Sequence, residues 1–476
     1  MPLRLPNRST PPIDLRSLRT AADQAFSRTA GAPLVSGNAV RVLRDSAENY
    51  PAWEAAMAAA THSIHIEMYI FHRDPVGRRF VDLLARKARE GVKVRVIYDW
   101  FGCGSSPWRG LFTPLTAVGG EVRVFNPPAF NSALGWLRRN HRKLITVDGR
   151  AAFISGLCIG QAWEGNPRKG QEPWRDTGVE IVGPAVAHAE ASFAESWHLC
   201  GGSDLGALPE SSEIVPAGSV DLRLIPTEPF TANMLRLDLL VGTLARKSLW
   251  LTDPYFIGTG PYLEALIRAA RDGVDVRLLL PQDSDVGWTV PVSRSLYRPL
   301  LEAGVRIFEW NGTMVHAKTA VADSRWARIG STNLNLNSWM GNWELDVAIE
   351  DAGVARTLES HYEQDLARST EVVLREGRRD RRRPLQPPSL RYRSSRRVVR
   401  TVTGVGRSLG AAVTGNRALE NFELRPIVTV AALLAAFGAV GAFVPWLLAW
   451  PVSAILLWLA FSLLAEAWQV WRRSSR

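Results

Sequence analysis

The chain has 476 residues, 46% of them hydrophobic and 22% charged, a composition typical of a folded protein and not of a disordered one. Its net charge of +11 resides at the end of the chain. From Glu371 onward there are 17 Arg, no Lys and 6 acidic residues, whereas residues 1–370 hold 40 charges of each sign. This neutral body argues against a general nucleic-acid binder. Three scattered cysteines exclude a disulfide framework and favour a reducing compartment.

In chain order, residues 1–35 are rich in Pro, Ser, Thr and Arg and show weak periodicity, which predicts a flexible lead-in without a signal peptide. Strand-like and helix-like stretches then alternate: "IHIEMYIF" (64–71), "FVDLLARKAR" (80–89), "EGVKVRVIYD" (90–99) and "VRVF" (122–125).

The same series returns later in the chain: "LWLTDPYF" (249–256), "YLEALIRAAR" (262–271), "DGVDVRLLLP" (272–281) and "VRIF" (305–308). Alternation of this kind predicts an α/β fold with helices on the faces of a sheet. We therefore predict two related α/β repeats, residues 36–205 and 206–370, packed with pseudo-two-fold symmetry around one active site.

In each repeat this series is followed by the same three polar residue types at the same spacing, in "HRKLITVD" (141–148) and "HAKTAVAD" (316–323). The residues are His141, Lys143 and Asp148 in the first repeat and His316, Lys318 and Asp323 in the second. Because residues i and i+2 of a strand share a face, each His and Lys should point the same way. Each Asp has the opposite parity and lies near a turn, so the pattern alone indicates a structural role.

Two His-Lys pairs facing one pocket suit a phosphodiester. The ammonium groups neutralise its oxygens, one imidazole attacks phosphorus, and the other protonates the leaving alcohol. The two His roles require opposite protonation states, so we expect a bell-shaped pH dependence.

The two H-x-K-x4-D motifs resemble those of the phospholipase D superfamily, and within it the chain is most similar to the bacterial cardiolipin synthase branch, from residue 37 to about residue 350. The resemblance implies a phosphohistidine intermediate and no metal or other cofactor. It also implies that His141 is the nucleophile and His316 the general acid, although the symmetry of the sequence does not decide between them. It includes both motif aspartates, Asp148 and Asp323, in the catalytic set.

Further residues follow from the same resemblance. The continuation "GSTN" places Asn333 in a phosphate-binding role, with Ser331 beside it. The family orients each His through a separate acid, and we expect Glu344 to serve His316 and Asp176 to serve His141. In the first repeat Cys158 stands where the family has Asn, and a thiol cannot replace an amide donor.

The end of the chain differs in character. Residues 371–425 form an Arg-rich linker that can bind an anionic membrane surface. Residues 426–471 contain 40 consecutive uncharged positions, enough for a transmembrane helical hairpin at ~20 residues per span. Basic flanks on both sides place the catalytic body in the cytoplasm. A buried core hairpin is the alternative.

These features predict a membrane-associated phosphatidyl transferase that converts two phosphatidylglycerol molecules into cardiolipin and glycerol. Three alternatives stay open: a hydrolase that releases phosphatidic acid, a phospholipase D-type nuclease with a basic groove, and a membrane scaffold without activity. The inserted stretch "AFNSALGWLRR" (129–139) either contacts the membrane, caps the pocket or is an ordinary surface loop.

Overall fold

The structure is a computed structural model that describes residues 15–128 and 138–374, together with eight helical positions between 450 and 464. The described residues form a fifteen-stranded mixed sheet covered by helices. The predicted α/β class is confirmed. Most of the predicted insertion at 129–139 lies outside the described residues.

The first half of the chain supplies seven strands: β1 (Val35–Arg44), β2 (Ser63–Met68), β3 (Lys93–Asp99), β4 (Glu121–Phe125), β5 (Lys143–Val147), β6 (Ala151–Ser155) and β7 (Thr177–Val182). Its helices are α1 (Leu15–Ala30), α2 (Asp45–Ala59), α3 (Pro75–Arg89), α4 (Trp100–Cys103), α5 (Thr113–Thr116), α6 (Gln161–Glu164) and α7 (Val186–Leu199).

The second half supplies eight strands: β8 (Val220–Thr227), β9 (Ser248–Thr252), β10 (Asp275–Pro281), β11 (Arg306–Trp310), β12 (Thr319–Ala322), β13 (Trp326–Gly330), β14 (Glu344–Glu350) and β15 (Ser369–Val372). Its helices are α8 (Asn233–Leu244), α9 (Gly260–Arg271), α10 (Thr289–Ser295), α11 (Tyr297–Glu302), α12 (Leu336–Met340) and α13 (Ala352–Leu366).

The order of the strands repeats itself outward from the centre of the sheet. Antiparallel pairing of β1 with β8 joins the halves. Outward from β1 the order is β7, β6, β5, β2, β3 and β4, and outward from β8 it is β14, β13, β12, β9, β10 and β11, with β15 at the edge. Strands β2, β3 and β4 are parallel to one another, as are β9, β10 and β11. Both halves therefore build one strand pattern from the repeated sequence.

The sheet folds back on itself, because β6 contacts β13 although these strands are far apart in the strand order. A shared apolar core fills the space between the halves, with Ile154 and Val179 from the first and Leu345 and Val347 from the second, all fully buried. This packing brings the beginnings of β5 and β12 together, and each begins within three residues of a motif histidine.

The prediction that residues 1–35 form a flexible lead-in is wrong for its second part, which contains α1. This helix packs on α8 with Ala30 fully buried, and its Phe26 ring lies 5.5 Å from the guanidinium of Arg223 on β8. Weak periodicity concealed the helix because tertiary packing, rather than a strong apolar stripe, stabilises it.

The predicted C-terminal hairpin, residues 426–471, lies almost entirely outside the described residues. Among the positions that the structure describes, no helix combines the length and apolar character needed to cross a bilayer. The Arg-rich linker at 371–425 is outside the described residues from 375 onward.

Candidate active site

The two motif histidines lie just before strands β5 and β12, and each is attached to the opposite half by its backbone. The His141 N–H donates to the carbonyl oxygen of Trp343 at 2.8 Å, and the His316 N–H donates to that of Arg175 at 2.7 Å. Trp343 precedes Glu344 and Arg175 precedes Asp176. These exchanged backbone contacts bring each His beside a carboxylate of the other half.

The side chains complete the same exchange. Nδ1 of His141 lies 2.8 Å from Oε2 of Glu344, and Nδ1 of His316 lies 2.7 Å from Oδ2 of Asp176. The expected pairing of Asp176 with His141 and of Glu344 with His316 is therefore wrong. Each acid follows its own motif closely in sequence, but the two halves face one another, so it reaches the histidine of the other half.

Burial sets the charge of these groups. It lowers the pKa of both His141 and His316 to about 4, and the neighbouring lysine ammonium groups act in the same direction. Burial alone would raise the pKa of Glu344 and Asp176, but the facing histidines and lysines hold both pKa values below the ordinary range. Near neutral pH each imidazole is thus neutral and donates its Nδ1 proton to a carboxylate, which leaves the Nε2 lone pair available.

The two motif lysines are buried beside the histidines. Nζ of Lys143 donates to the His141 carbonyl oxygen at 2.6 Å, and Nζ of Lys318 lies 3.0 Å from Nε2 of His316. Burial lowers the pKa of Lys318 to about 8 and also lowers that of Lys143. Two partly desolvated cations beside two neutral imidazoles form an environment that an anionic phosphoryl group would stabilise.

The motif aspartates stabilise turns by accepting backbone hydrogen bonds, and within the described residues neither one contacts a motif histidine. The carboxylate of Asp148 accepts the backbone N–H groups of Thr61, His62 and Ser63 at 2.7–2.8 Å. Asp323 accepts those of residues 246–248 at 2.7–3.1 Å. Both lie in the turn at the far end of the strand from the His, so the expected catalytic role is corrected to the structural role that strand parity indicated.

Two residues that follow the second motif, Ser331 and Asn333, make different contacts. Ser331 donates its hydroxyl to Oε2 of Glu344 at 2.6 Å, so it orients the carboxylate that holds His141. Asn333 lines the cavity described below, and its Nδ2 donates to the Ser338 hydroxyl at 3.3 Å. Cys158, at the matching position of the first half, is fully buried and also lines the cavity, and burial raises the pKa of its thiol. The two half-sites therefore differ where the sequence departs from the family pattern.

Several aromatic residues at the site were not predicted. The Tyr69 ring stands edge-on to His141 at 4.8 Å, and Tyr255 stands edge-on to His316 at 6.0 Å. Trp163 donates Nε1–H to Oδ2 of Asp176 at 3.0 Å, and Trp174 lies 5.4 Å from the His316 ring. The tyrosines near the ends of the two matched strand stretches were an available signal. Trp163 was another, because "AWEGN" (162–166) matches "SWMGN" (338–342) in the second repeat.

A cavity of about 630 Å³ opens above this floor. Both histidines line it, together with Tyr69, Cys158, Trp174, Tyr255, Asn333 and residues of the loops before α10 and α12. Three exposed apolar side chains, Phe101, Trp288 and Leu336, stand among the lining residues, 57–64% exposed. The cavity thus joins a polar, ionisable floor to an apolar mouth.

Comparison with known proteins agrees with this arrangement. The family model described as "Cardiolipin synthase, PLD-like domain" matches residues 54–166 and 243–366. A cardiolipin synthase of Halalkalibacterium halodurans is 34% identical over 72% of this chain and 69% of its own length. Cardiolipin synthase A of Pseudomonas syringae is 33% identical over 77% of this chain and 76% of its own length.

A solved structure shares the fold. The crystal structure of phosphatidylserine synthase from Haemophilus influenzae matches with a TM-score of 0.58 at 15% sequence identity, covering 74% of this chain and 92% of that one. The paired motifs, the repeated sheet and these relatives lead to one conclusion: the chain belongs to the cardiolipin synthase branch of the phospholipase D superfamily.

Proposed function

We propose that this protein is a membrane-associated phosphatidyl transferase that makes cardiolipin and glycerol from two molecules of phosphatidylglycerol. The single observation that carries the proposal is the pair of motif histidines, each beside a carboxylate of the other half, on the floor of a cavity with an apolar mouth. The names of the relatives support the same reaction.

His141 acts as the nucleophile in this proposal. Its Nε2 attacks phosphorus, the bond from phosphorus to the glycerol oxygen breaks, and His316 delivers a proton to that oxygen. In the second step the hydroxyl group of the acceptor lipid returns a proton to His316, and its oxygen displaces Nε2 of His141. Atoms and charge balance over the two steps, and no cofactor takes part.

His316 must carry a proton in the first step, although its pKa in the free site is about 4. The phosphodiester anion supplies the reason. A negative charge beside the imidazole favours its protonated form. Substrate binding therefore raises the pKa of His316, and proton uptake accompanies binding.

The cavity mouth favours lipid over nucleic acid. Phe101, Trp288 and Leu336 are exposed there, and the described residues that line the cavity include no Arg or exposed Lys. A nuclease groove requires cations along the path of the phosphate backbone. Acyl chains extending from the cavity would instead meet apolar side chains.

Membrane attachment belongs to the same proposal. Residues 426–471 form the anchoring hairpin, the Arg-rich linker at 371–425 contacts anionic headgroups, and the body lies on the cytoplasmic side. The uncharged run at 426–465 and its basic flanks support this arrangement.

The test is to incubate membranes containing the full chain with radiolabelled phosphatidylglycerol and to resolve the products, beside a His141→Ala control. We expect cardiolipin and free glycerol from the native protein and neither from the variant. Phosphatidic acid alone would identify a hydrolase. Absence of lipid turnover, together with salt-dependent cleavage of DNA, would identify a nuclease.

A further inference from the structure

The two half-sites differ in polarity at two matched positions. Asp285 follows Cys103 by 182 residues, the spacing that relates Gly273 to Gly91. Asn333 follows Cys158 by 175 residues, the spacing of the two motif histidines. At these two positions the first half therefore has a cysteine where the second half has a carboxylate or an amide.

The cysteines of the first half are closed to a polar ligand. Cys103 is buried and its Sγ accepts the Phe71 N–H at 3.1 Å. Cys158 reaches the cavity with a fully buried side chain, and burial raises the pKa of its thiol. A neutral thiol is a weak hydrogen-bonding group, so this side of the cavity offers little to a hydroxylated molecule.

The second half presents hydrogen-bond acceptors instead. Asp285 is an exposed carboxylate that lines the cavity. The Tyr255 hydroxyl donates to its Oδ1 at 2.8 Å and Ser284 donates to the same oxygen at 3.3 Å, whereas its Oδ2 makes no hydrogen bond to the described residues. Oδ1 of Asn333 has no partner among the described residues, although Asn333 lines the cavity and is only 5% exposed. A buried acceptor without a donor is costly and calls for a ligand that donates.

Tyr255 connects these acceptors to the reaction. Its ring stands edge-on to His316 at 6.0 Å, and its hydroxyl group holds Asp285. Tyr255 thus contacts both the carboxylate of Asp285 and the histidine to which we assign the proton transfer with the alcohol. In-line displacement places the leaving alcohol and the incoming alcohol at the same position, opposite the nucleophile, so one subsite serves both.

We infer that Asp285 and Asn333, with Tyr255 as a positioning residue, form a subsite for the hydroxyl groups of a vicinal polyol, the glycerol headgroup of the acceptor lipid. A carboxylate oxygen accepts readily from alcohol hydroxyls. Lys143 and Lys318 already place two cations on the floor, and they repel an ammonium headgroup. The inference rests on the proposed function and specifies which alcohol the transferase selects over water.

The test compares Asp285→Asn with Asp283→Asn, which alters an exposed carboxylate of the same loop that does not line the cavity. Full-length protein in vesicles is given labelled phosphatidylglycerol, and the ratio of cardiolipin to phosphatidic acid is measured. A second assay follows incorporation of labelled free glycerol into phosphatidylglycerol. We expect Asp285→Asn to lower the product ratio and to raise the KM for glycerol about tenfold, while Asp283→Asn matches the native protein.

Tyr255→Phe should shift the product ratio in the same direction by a smaller factor, because it loosens Asp285 without removing the carboxylate. If Asp285→Asn changes neither the product ratio nor the KM for glycerol, the subsite is overturned. Cardiolipin formation by the native protein in the same assay would still support the proposed function. Loss of cardiolipin and phosphatidic acid together would also overturn the subsite, since Asp285 would then act in the chemistry. If the native protein incorporated labelled ethanolamine in preference to labelled glycerol, and Asp285→Asn lost that preference, the assignment of the subsite to a polyol would be overturned.

Discussion

The carboxylate of Glu344 lies 2.8 Å from Nδ1 of His141, although 203 residues separate them. The matching contact joins Asp176 to His316 across 140 residues. Neither motif histidine therefore finds its carboxylate within its own half of the chain. Two copies of one unit make a working site only by facing each other, which explains why the halves share a buried core.

The first prediction concerns this exchange of carboxylates. Glu344→Gln and His141→Ala should be non-additive in the free energy of unfolding, because they remove two partners of one buried contact; interacting pairs typically couple by ~0.5–3 kcal/mol. The effects of Asp176→Asn and His141→Ala on the free energy of unfolding should be additive. Urea unfolding of the single and double variants measures both cycles. Coupling of His141 to Asp176 in place of Glu344 would restore the pairing expected from sequence order.

Glu344→Gln should also lower kcat by about 10²- to 10⁴-fold, the range seen when the acid that orients a catalytic histidine is neutralised. The amide cannot stabilise the imidazolium and permits the wrong tautomer. Glu350→Gln, on the same strand but at its far end, serves as the control. Equal rates for native protein and Glu344→Gln would contradict the orienting role.

The pH dependence of kcat should be bell-shaped, because the substrate complex needs a neutral His141 and a protonated His316. Activity is lost at low pH as His141, whose pKa in the free site is about 4, gains a proton. It is lost at high pH as His316 gives up the proton taken up on binding, and as Lys318, whose pKa in the free site is about 8, loses the charge that neutralises phosphoryl oxygens. Lys318→Arg should remove the part of the alkaline loss that is due to the lysine. A rate that stays constant from pH 5 to well above 9 would exclude this assignment.

Stability should depend on pH through the same histidines. Their pKa values are about 4 in the folded protein and 6.5 when unperturbed. Between these values the unfolded chain binds protons that the folded site rejects, so the free energy of unfolding falls as the pH decreases from about 6.5 to about 4. A His141→Gln, His316→Gln double variant should show a shallower slope over this interval. Equal slopes would contradict the lowered pKa values.

Cys158→Asn tests the departure in the first half-site. The amide restores a donor where the buried thiol offers a weak one, so activity on phosphatidylglycerol should stay equal or increase a few-fold. Cys158→Ala serves as the comparison that removes the polar group altogether. A collapse of activity in Cys158→Asn with an unchanged unfolding midpoint would give the thiol a role of its own.

The cavity mouth should matter only for substrates in a bilayer. Trp288→Ser should reduce the rate on phosphatidylglycerol vesicles about tenfold and leave the rate on a short-chain, monomeric phosphatidylglycerol nearly unchanged. Trp108→Ser is the matched control, because Trp108 is 82% exposed yet does not line the cavity. If both variants lost the same activity, or if Trp288→Ser lost the same activity on both substrates, the cavity mouth would have no role in lipid binding.

Sequence periodicity predicted β2, α3, β3 and β4 and their counterparts β9, α9, β10 and β11, because the repeated apolar pattern decides which segments are buried. Strand parity likewise predicted the turn-bracing role of Asp148 and Asp323. The carboxylate pairing could not be predicted this way. It depends on which half each acid faces, and this is a property of the packing between β6 and β13 rather than of local spacing.

The same limit applies to the side chains around the histidines. Trp163 and Trp174 approach His316 from the other half of the chain, so no spacing within the motif indicates them. Helix α1 was missed for a related reason, since its partner α8 is some 200 residues away. Contacts between the halves carry information that a single repeat does not contain.

The most direct test of the central claim is to trap the covalent intermediate. A phosphatidyl-p-nitrophenol carrying ³²P has a leaving group that needs no general acid, so His316→Ala should release a burst of nitrophenol and hold one acid-labile, base-stable label per chain. His141→Ala should show neither burst nor label. Label retained in His141→Ala and absent from His316→Ala would make His316 the nucleophile, and absence of label in both variants and in the native protein would contradict the phosphohistidine route.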